Sequence, residues 1–333
     1  MILFHPGIIA LFISSILICG LVLYAAFFGA AILRHWDLNS GSERQLELER
    51  KTYLISTILA YVFAFQITSL FLYVYTADTL HALFTGAMCA AGTLNVNGYG
   101  YPTLVFKILN FILAGIWLIL NHADNQAYDY PLIKKKYMFL IFFTPLLLTE
   151  GLLQAQFLLN LAPDVITSCC GTLFSTAGSD IRSDLASMQA LPMMMVFYAS
   201  IISTLSAGVY FYYKQKGGYL FAFFSACTFL ISIASIISFI SVYIYELPTH
   251  HCPFCILQKD YGFIGYAFYA ALFGSTVAGI GVGVLMPCRK IRSMYQPVQR
   301  IQSGLALASI VFLAVFVGIV TVKIIGSNLN LLN

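Results

Sequence analysis

Long apolar runs joined by short polar segments set the pattern of this chain. A window of about 20 residues, the helix length that crosses a ~30 Å hydrocarbon core, finds eight runs, near 7–33, 53–75, 103–121, 137–161, 190–213, 219–245, 262–286 and 303–326. They predict an all-α polytopic membrane protein, a bundle of about eight transmembrane helices. No linker, low-complexity tract or charge block separates two parts, so residues 1–333 read as a single transmembrane domain. The longest polar stretch, Arg34 to Lys51, contains Ser42-Glu43-Arg44-Gln45-Leu46-Glu47-Leu48-Glu49-Arg50 and predicts a helical extension of span 2 into water. Span 1 follows Met1-Ile2-Leu3-Phe4-His5-Pro6, which carries no basic residue, and it is too long for a cleaved export signal, so it reads as a retained helix.

Composition agrees with this class. The chain is 60% hydrophobic and 9% charged, whereas soluble domains carry roughly a quarter charged residues. The net charge of +4 is a matter of topology. Thirteen of the 17 Lys and Arg residues lie between spans 1–2 (Arg34, Arg44, Arg50, Lys51), 3–4 (Lys134, Lys135, Lys136), 5–6 (Lys214, Lys216) and 7–8 (Arg289, Lys290, Arg292, Arg300). The positive-inside rule makes these segments cytoplasmic and both termini exterior. Nucleic-acid binding is not indicated. The expected partner is the lipid bilayer, with room for other membrane subunits, and the expected location is a prokaryotic cytoplasmic membrane.

The alternate segments, roughly 76–102, 162–189 and 246–261, should face the exterior, and they hold five of the eight cysteines: Cys89, Cys169, Cys170, Cys252 and Cys255. Exterior thiols meet an oxidising compartment, where structural disulfides are the simplest expectation. Cys89-Ala90-Ala91-Gly92-Thr93-Leu94 and Cys170-Gly171-Thr172-Leu173 form a weak repeat. Leu80 to Leu94 is apolar for an exterior loop and predicts an interfacial or re-entrant helix, followed by turns through Asn95 to Pro102.

The most specific motif is His250-His251-Cys252-Pro253-Phe254-Cys255-Ile256-Leu257-Gln258-Lys259, at the opening of span 7. A Cys-x-x-Cys at a helix N-terminus favours a thiolate, the nucleophile of disulfide exchange, and protonated His250 or His251 would favour it further. The alternative is a soft-metal site built from Cys252, Cys255, His250 and His251, although a second spaced ligand pair is lacking. Cys169 and Cys170 are adjacent, which favours exchange with Cys252 or Cys89 over a strained ring between them.

Cys252-Pro253-Phe254-Cys255-Ile256-Leu257-Gln258-Lys259 resembles the Cys-x-x-Cys segment of the DsbB family of quinone-coupled disulfide-forming membrane proteins, and the vitamin K epoxide reductase family is similar. The DsbB family has four helices and commonly an arginine where Lys259 stands. The resemblance implies a quinone held near Cys255 by Lys259 with Gln258, and exchange at Cys252 with a cysteine of another exterior segment.

Within the spans, Glu150 lies about 20 Å up span 4 and Lys107 about 7 Å below the outer end of span 3, by ~1.5 Å rise per residue. The two can pair, with Gln154 on the Glu150 face, as a structural ion pair or as a proton relay for quinone chemistry. Met193-Met194-Met195 reads as packing, because consecutive residues point around the helix. His5, His35, His81 and His122 form no mid-span pair, so no haem is expected. Gly279 and Gly283 predict close packing of span 7.

Three functions follow. The first is a membrane thiol–disulfide oxidoreductase that takes electrons from an exported dithiol protein through Cys169, Cys170 or Cys89, and passes them by Cys252 and Cys255 to quinone. The second is a carrier or permease component for a soft metal of the Cu, Zn or Hg type. The third is a non-catalytic membrane subunit braced by exterior disulfides.

Overall fold

The computed structural model describes residues 2–37, 40–167, 181–329 and 331. The chain is 82% helical, with no strand among the described residues. In chain order the α-helices are α1 (Pro6–His35), α2 (Glu43–Leu80), α3 (Ala90–Leu94), α4 (Gly100–Asn125), α5 (Ile133–Leu159), α6 (Ile181–Ala186), α7 (Ala190–Lys214), α8 (Gly218–Ser235), α9 (Ser241–Tyr245), α10 (Ile264–Leu285) and α11 (Tyr295–Ile325). Short 3-10 and π turns punctuate them, and eight of the resulting helical stretches are long and apolar enough to cross a membrane. They coincide with the eight predicted runs. The second starts at Glu43, ahead of the apolar run, because the polar stretch continues the helix as expected. Ser42 Oγ accepts from the Gln45 amide at 3.3 Å as an N-terminal cap, and Glu47 pairs with Lys51 one turn on at 2.6 Å.

The contacts divide the chain into two compact units that alternate along the sequence. The first comprises Met1–Thr76, Asn97–Leu161 and Pro287–Ile301. Its core places Phe63 between Trp117, edge-on at 4.9 Å, and Phe143, stacked at 5.3 Å. Gly29 lets α1 approach α5, since a Cβ there would lie 2.8 Å from the Tyr137 ring. Tyr24, Phe27 and Phe142 are exposed, as suits a surface solvated by lipid.

The second unit comprises Ala77–Val96, Ala162–Met286 and Gln302–Asn333. In α10, Gly283 stands against α8, where a Cβ would come within 2.5 Å of the Ala222 side chain, and Gly279 packs on Ser225 and Ser309. These are the small-residue contacts expected for span 7. Between α8 and α9 the helix widens into a π turn, Ile236–Ile240, in which the Ser241 amide bonds the Ile236 carbonyl five residues back. The Leu80–Leu94 stretch is less helical than predicted: a 3-10 turn at His81–Leu83 leads through an irregular segment to α3, a five-residue helix that is buried throughout.

Candidate functional site

The second unit gathers three of the five predicted thiols. Cys89 Sγ lies 3.6 Å from Cys252 Sγ, and the sulfurs of Cys89, Cys252 and Cys255 all lie within 4.8 Å of one another. Each is buried, and Cys89 and Cys252 are wholly so. The 3.6 Å contact is longer than the ~2.05 Å of a disulfide bond, and close to the 3–3.5 Å separation from which attack proceeds. Cys169 and Cys170 lie outside the described residues.

One prediction about this site needs correction. The Cys252–Cys255 pair does not open the span 7 helix. Two 3-10 turns, Cys255–Leu257 and Lys259–Tyr261, follow it, and α10 begins only at Ile264. The break falls at Gly262 and Phe263, both left-handed, with φ of 65° and 55°. This conformation stops an α-helix from propagating back toward the cysteines, so the macrodipole of span 7 does not act on them.

Tyrosines fix the loop instead. The Tyr245 hydroxyl, at the end of α9, donates to the Cys252 carbonyl at 2.7 Å and accepts from the Ile256 amide at 2.8 Å. Tyr269 Oη, one turn into α10, donates to the Pro253 carbonyl at 2.7 Å. Because the backbone groups of a buried loop must find partners, these two rings set the depth and orientation of both thiols.

The two histidines separate in role. His251 Nδ1 donates to the Ile237 carbonyl at 2.9 Å, so this ring braces the π turn. The predicted metal set is corrected accordingly: Cys89 joins Cys252 and Cys255, and neither His250 nor His251 stands in the group. His250 Nε2 lies 3.4 Å from Cys255 Sγ. Burial holds the His250 imidazole below its ordinary pKa; Cys89 opposes that shift, and His251 adds to it. A neutral imidazole in that position can take the Cys255 thiol proton.

Cys89 is held from the other side. Asp78, at the end of α2, accepts on Oδ1 from the Ala90 amide at 3.1 Å and from Gln258 Nε2 at 3.2 Å. Gln258 also donates to the Met88 carbonyl at 2.9 Å, so one side chain ties the Cys89 segment to the Cys252–Cys255 loop. Thr167 reinforces this segment, its amide bonding the Thr85 carbonyl and its hydroxyl the Gly92 carbonyl. Gly86 has φ of 89°, and a Cβ there would collide with the Thr167 carbonyl oxygen, so only glycine fits. Replacing Gln258 with alanine is expected to slow oxidant-driven linkage of Cys89 to Cys252 by about tenfold or more, since small misplacements of reacting atoms are costly. Timed alkylation and peptide mapping would check this, and an unchanged rate would show that Gln258 does not position the thiols. Lys259, the predicted quinone ligand, is exposed, four residues beyond Cys255.

Lys107 and Glu150 belong to the first unit, and they form the pair that the sequence allowed but did not decide. Lys107 Nζ lies 2.7 Å from Glu150 Oε1 and 2.8 Å from Ser69 Oγ. Glu150 Oε2 accepts from Gln66 Nε2 at 2.6 Å and from Asn110 Nδ2. Gln154 shares the helix but turns to the Leu11 carbonyl at 3.0 Å. A second buried pair, Lys136 with Asp124 at 2.9 Å, went unread. Lys136 looked like one of three surface lysines, whereas only Lys134 and Lys135 are exposed. The readable signal was an acid at the end of span 3 facing a base at the start of span 4. Asp78, an acid in the predicted exterior segment just beyond span 2, carried no signal that set it apart from a solvated loop residue.

Compared with models of known families, with curated proteins and with solved structures, the chain matches none.

Proposed function

We propose that the protein is a membrane thiol–disulfide oxidoreductase in which Cys89, Cys252 and Cys255 form an internal relay. The observation that carries this reading is the 3.6 Å approach of Cys89 to Cys252, across two chain segments that hydrogen bonds hold together. Cys89 and Cys252 are closed to a protein partner, so an exported dithiol delivers electrons at Cys169 or Cys170. Thr167, bonded to the Cys89 segment, leads the chain to them. With the basic segments cytoplasmic, the relay faces the exterior.

The steps balance as two-electron exchange. A partner thiolate attacks a disulfide joining Cys89 to Cys169 or Cys170, and the partner's second thiol resolves the mixed disulfide and leaves oxidised. Cys89 thiolate then attacks Cys252 of the Cys252–Cys255 disulfide and expels Cys255 thiolate. The remaining thiol of the Cys169–Cys170 pair attacks Cys89 and releases Cys252. A quinone, the acceptor implied by the resemblance around Cys252–Lys259, takes two electrons and two protons from Cys252 and Cys255 and restores their disulfide. His250 accepts the Cys255 proton and passes it on to the quinone. Purified protein in detergent should reduce a water-soluble ubiquinone analogue only when supplied with a reduced dithiol protein, with one disulfide formed per quinol. Quinone reduction without matching disulfide formation, or none at all, would sink the proposal.

A further inference from the structure

We infer that the reduced site also holds one soft divalent cation, of the zinc or cadmium class, on the sulfurs of Cys89, Cys252 and Cys255. This goes beyond the relay and does not rest on it. Three sulfurs within 4.8 Å of one another are, when reduced, a ligand set for a soft metal. Around zinc, Zn–S bonds of ~2.3 Å at tetrahedral angles place sulfurs about 3.8 Å apart, and Cys89 and Cys252 already stand at 3.6 Å. His250 Nε2 lies 3.4 Å from Cys255 Sγ, beside the three-sulfur group and not within it.

The surroundings supply what a metal site needs beyond its ligands. The Tyr245, Tyr269, Asp78 and Gln258 hydrogen bonds hold the ligand-bearing backbone, the outer support that orients metal ligands. Charge selects the ion. Three thiolates with a divalent cation leave one net negative charge in a buried site, whereas a monovalent ion such as Cu(I) would leave two, and buried uncompensated charge is costly. Thiolates are both the metal ligands and the reductants of the relay, so a Cys252–Cys255 disulfide removes two of the three sulfur ligands. Metal binding and oxidation therefore exclude each other at this site.

The test uses the full chain in detergent, reduced with a phosphine and titrated with cadmium alone, followed by sulfur-to-cadmium charge-transfer absorption. One cadmium per chain is expected, with affinity falling at least about tenfold in Cys89→Ser and stoichiometric binding abolished when the chain is first oxidised. Should Cys89→Ser fail to fold, X-ray absorption of the zinc-loaded wild-type chain decides, with three sulfurs at about 2.3 Å expected around the metal. The inference is overturned by binding far below one per chain, by affinity indifferent to Cys89, or by a shell dominated by oxygen. Its failure is separable from failure of the relay. Absent metal with intact quinone turnover sinks this inference alone, and bound metal without turnover sinks the relay alone.

Discussion

Replacing Cys255 with serine is expected to reduce dithiol-dependent quinone reduction to background and to trap a disulfide between Cys89 and Cys252. The thiolate, not the thiol, is the nucleophile and the leaving group in exchange, and a serine hydroxyl at neutral pH serves as neither. With Cys255 gone there is no Cys252–Cys255 disulfide for Cys89 to attack. The Cys252 thiolate, 3.6 Å from Cys89, instead attacks Cys89 of its disulfide with Cys169 or Cys170 and releases that thiol, and no Cys255 remains to resolve the Cys89–Cys252 bond toward quinone. The loss of turnover should be a hundredfold or more, roughly the scale on which enzymes depend on a nucleophile that acts as part of a unit. Stability should change little, because serine is close in size and the loop is held through backbone carbonyls and amides by Tyr245 and Tyr269. Thermal unfolding in parallel with the assay separates a chemical loss from a folding loss. Turnover near the wild-type rate would contradict the relay.

Replacing Glu150 with glutamine has the largest expected effect on stability. The pair sits within the apolar spans, with both side chains almost wholly removed from solvent, and Glu150 accepts from Lys107, Gln66 and Asn110 together. Glutamine retains one acceptor oxygen, and its amide nitrogen faces donors. It also leaves the Lys107 ammonium without a countercharge, and breaking one partner of a buried pair costs about 3–5 kcal/mol. The apparent melting temperature in detergent should fall by roughly 10 °C on the scale of ~2–4 °C per kcal/mol for chains of this size. Pairing Lys107→Met with Glu150→Leu should recover most of that loss, since replacing both ions with apolar groups of similar volume is often neutral or better. If the double variant were as unstable as the single one, the cluster would be acting through its hydrogen bonds more than through its charge. Through its bonds to Gln66, Lys107 and Asn110, the Glu150 carboxyl clamps α2, α4 and α5 together. The same geometry favours a structural clasp over the proton relay considered from sequence.

The eight spans were legible because lipid imposes a length and an apolar composition that any crossing helix must meet. That Lys107 and Glu150 stand at depths compatible with pairing was legible for a related reason, since depth along a helix follows from rise per residue; that they do pair was not. The thiol cluster was legible only as a list. Cys89 and Cys252 are 163 positions apart, and nothing in either local pattern states that Asp78 and Gln258 bring them together. The helix expected to begin at the cysteines failed because Gly262 and Phe263 take left-handed backbone, a choice that hydropathy does not encode. Tyr245, Tyr269 and the π turn were hidden in apolar runs, where a tyrosine reads as an interfacial ring until its hydroxyl is seen to hold a loop.

The central claim is that Cys89 and Cys252 exchange disulfides inside one buried site. Peptide mapping by mass spectrometry of Cys255→Ser protein, purified oxidised without added dithiol and alkylated under acid quench, tests it most directly. The account predicts a linked peptide pair carrying Cys89 and Cys252 as the dominant disulfide of the variant. Cys252 linked to any other cysteine, or recovered alkylated and unlinked throughout, would contradict it.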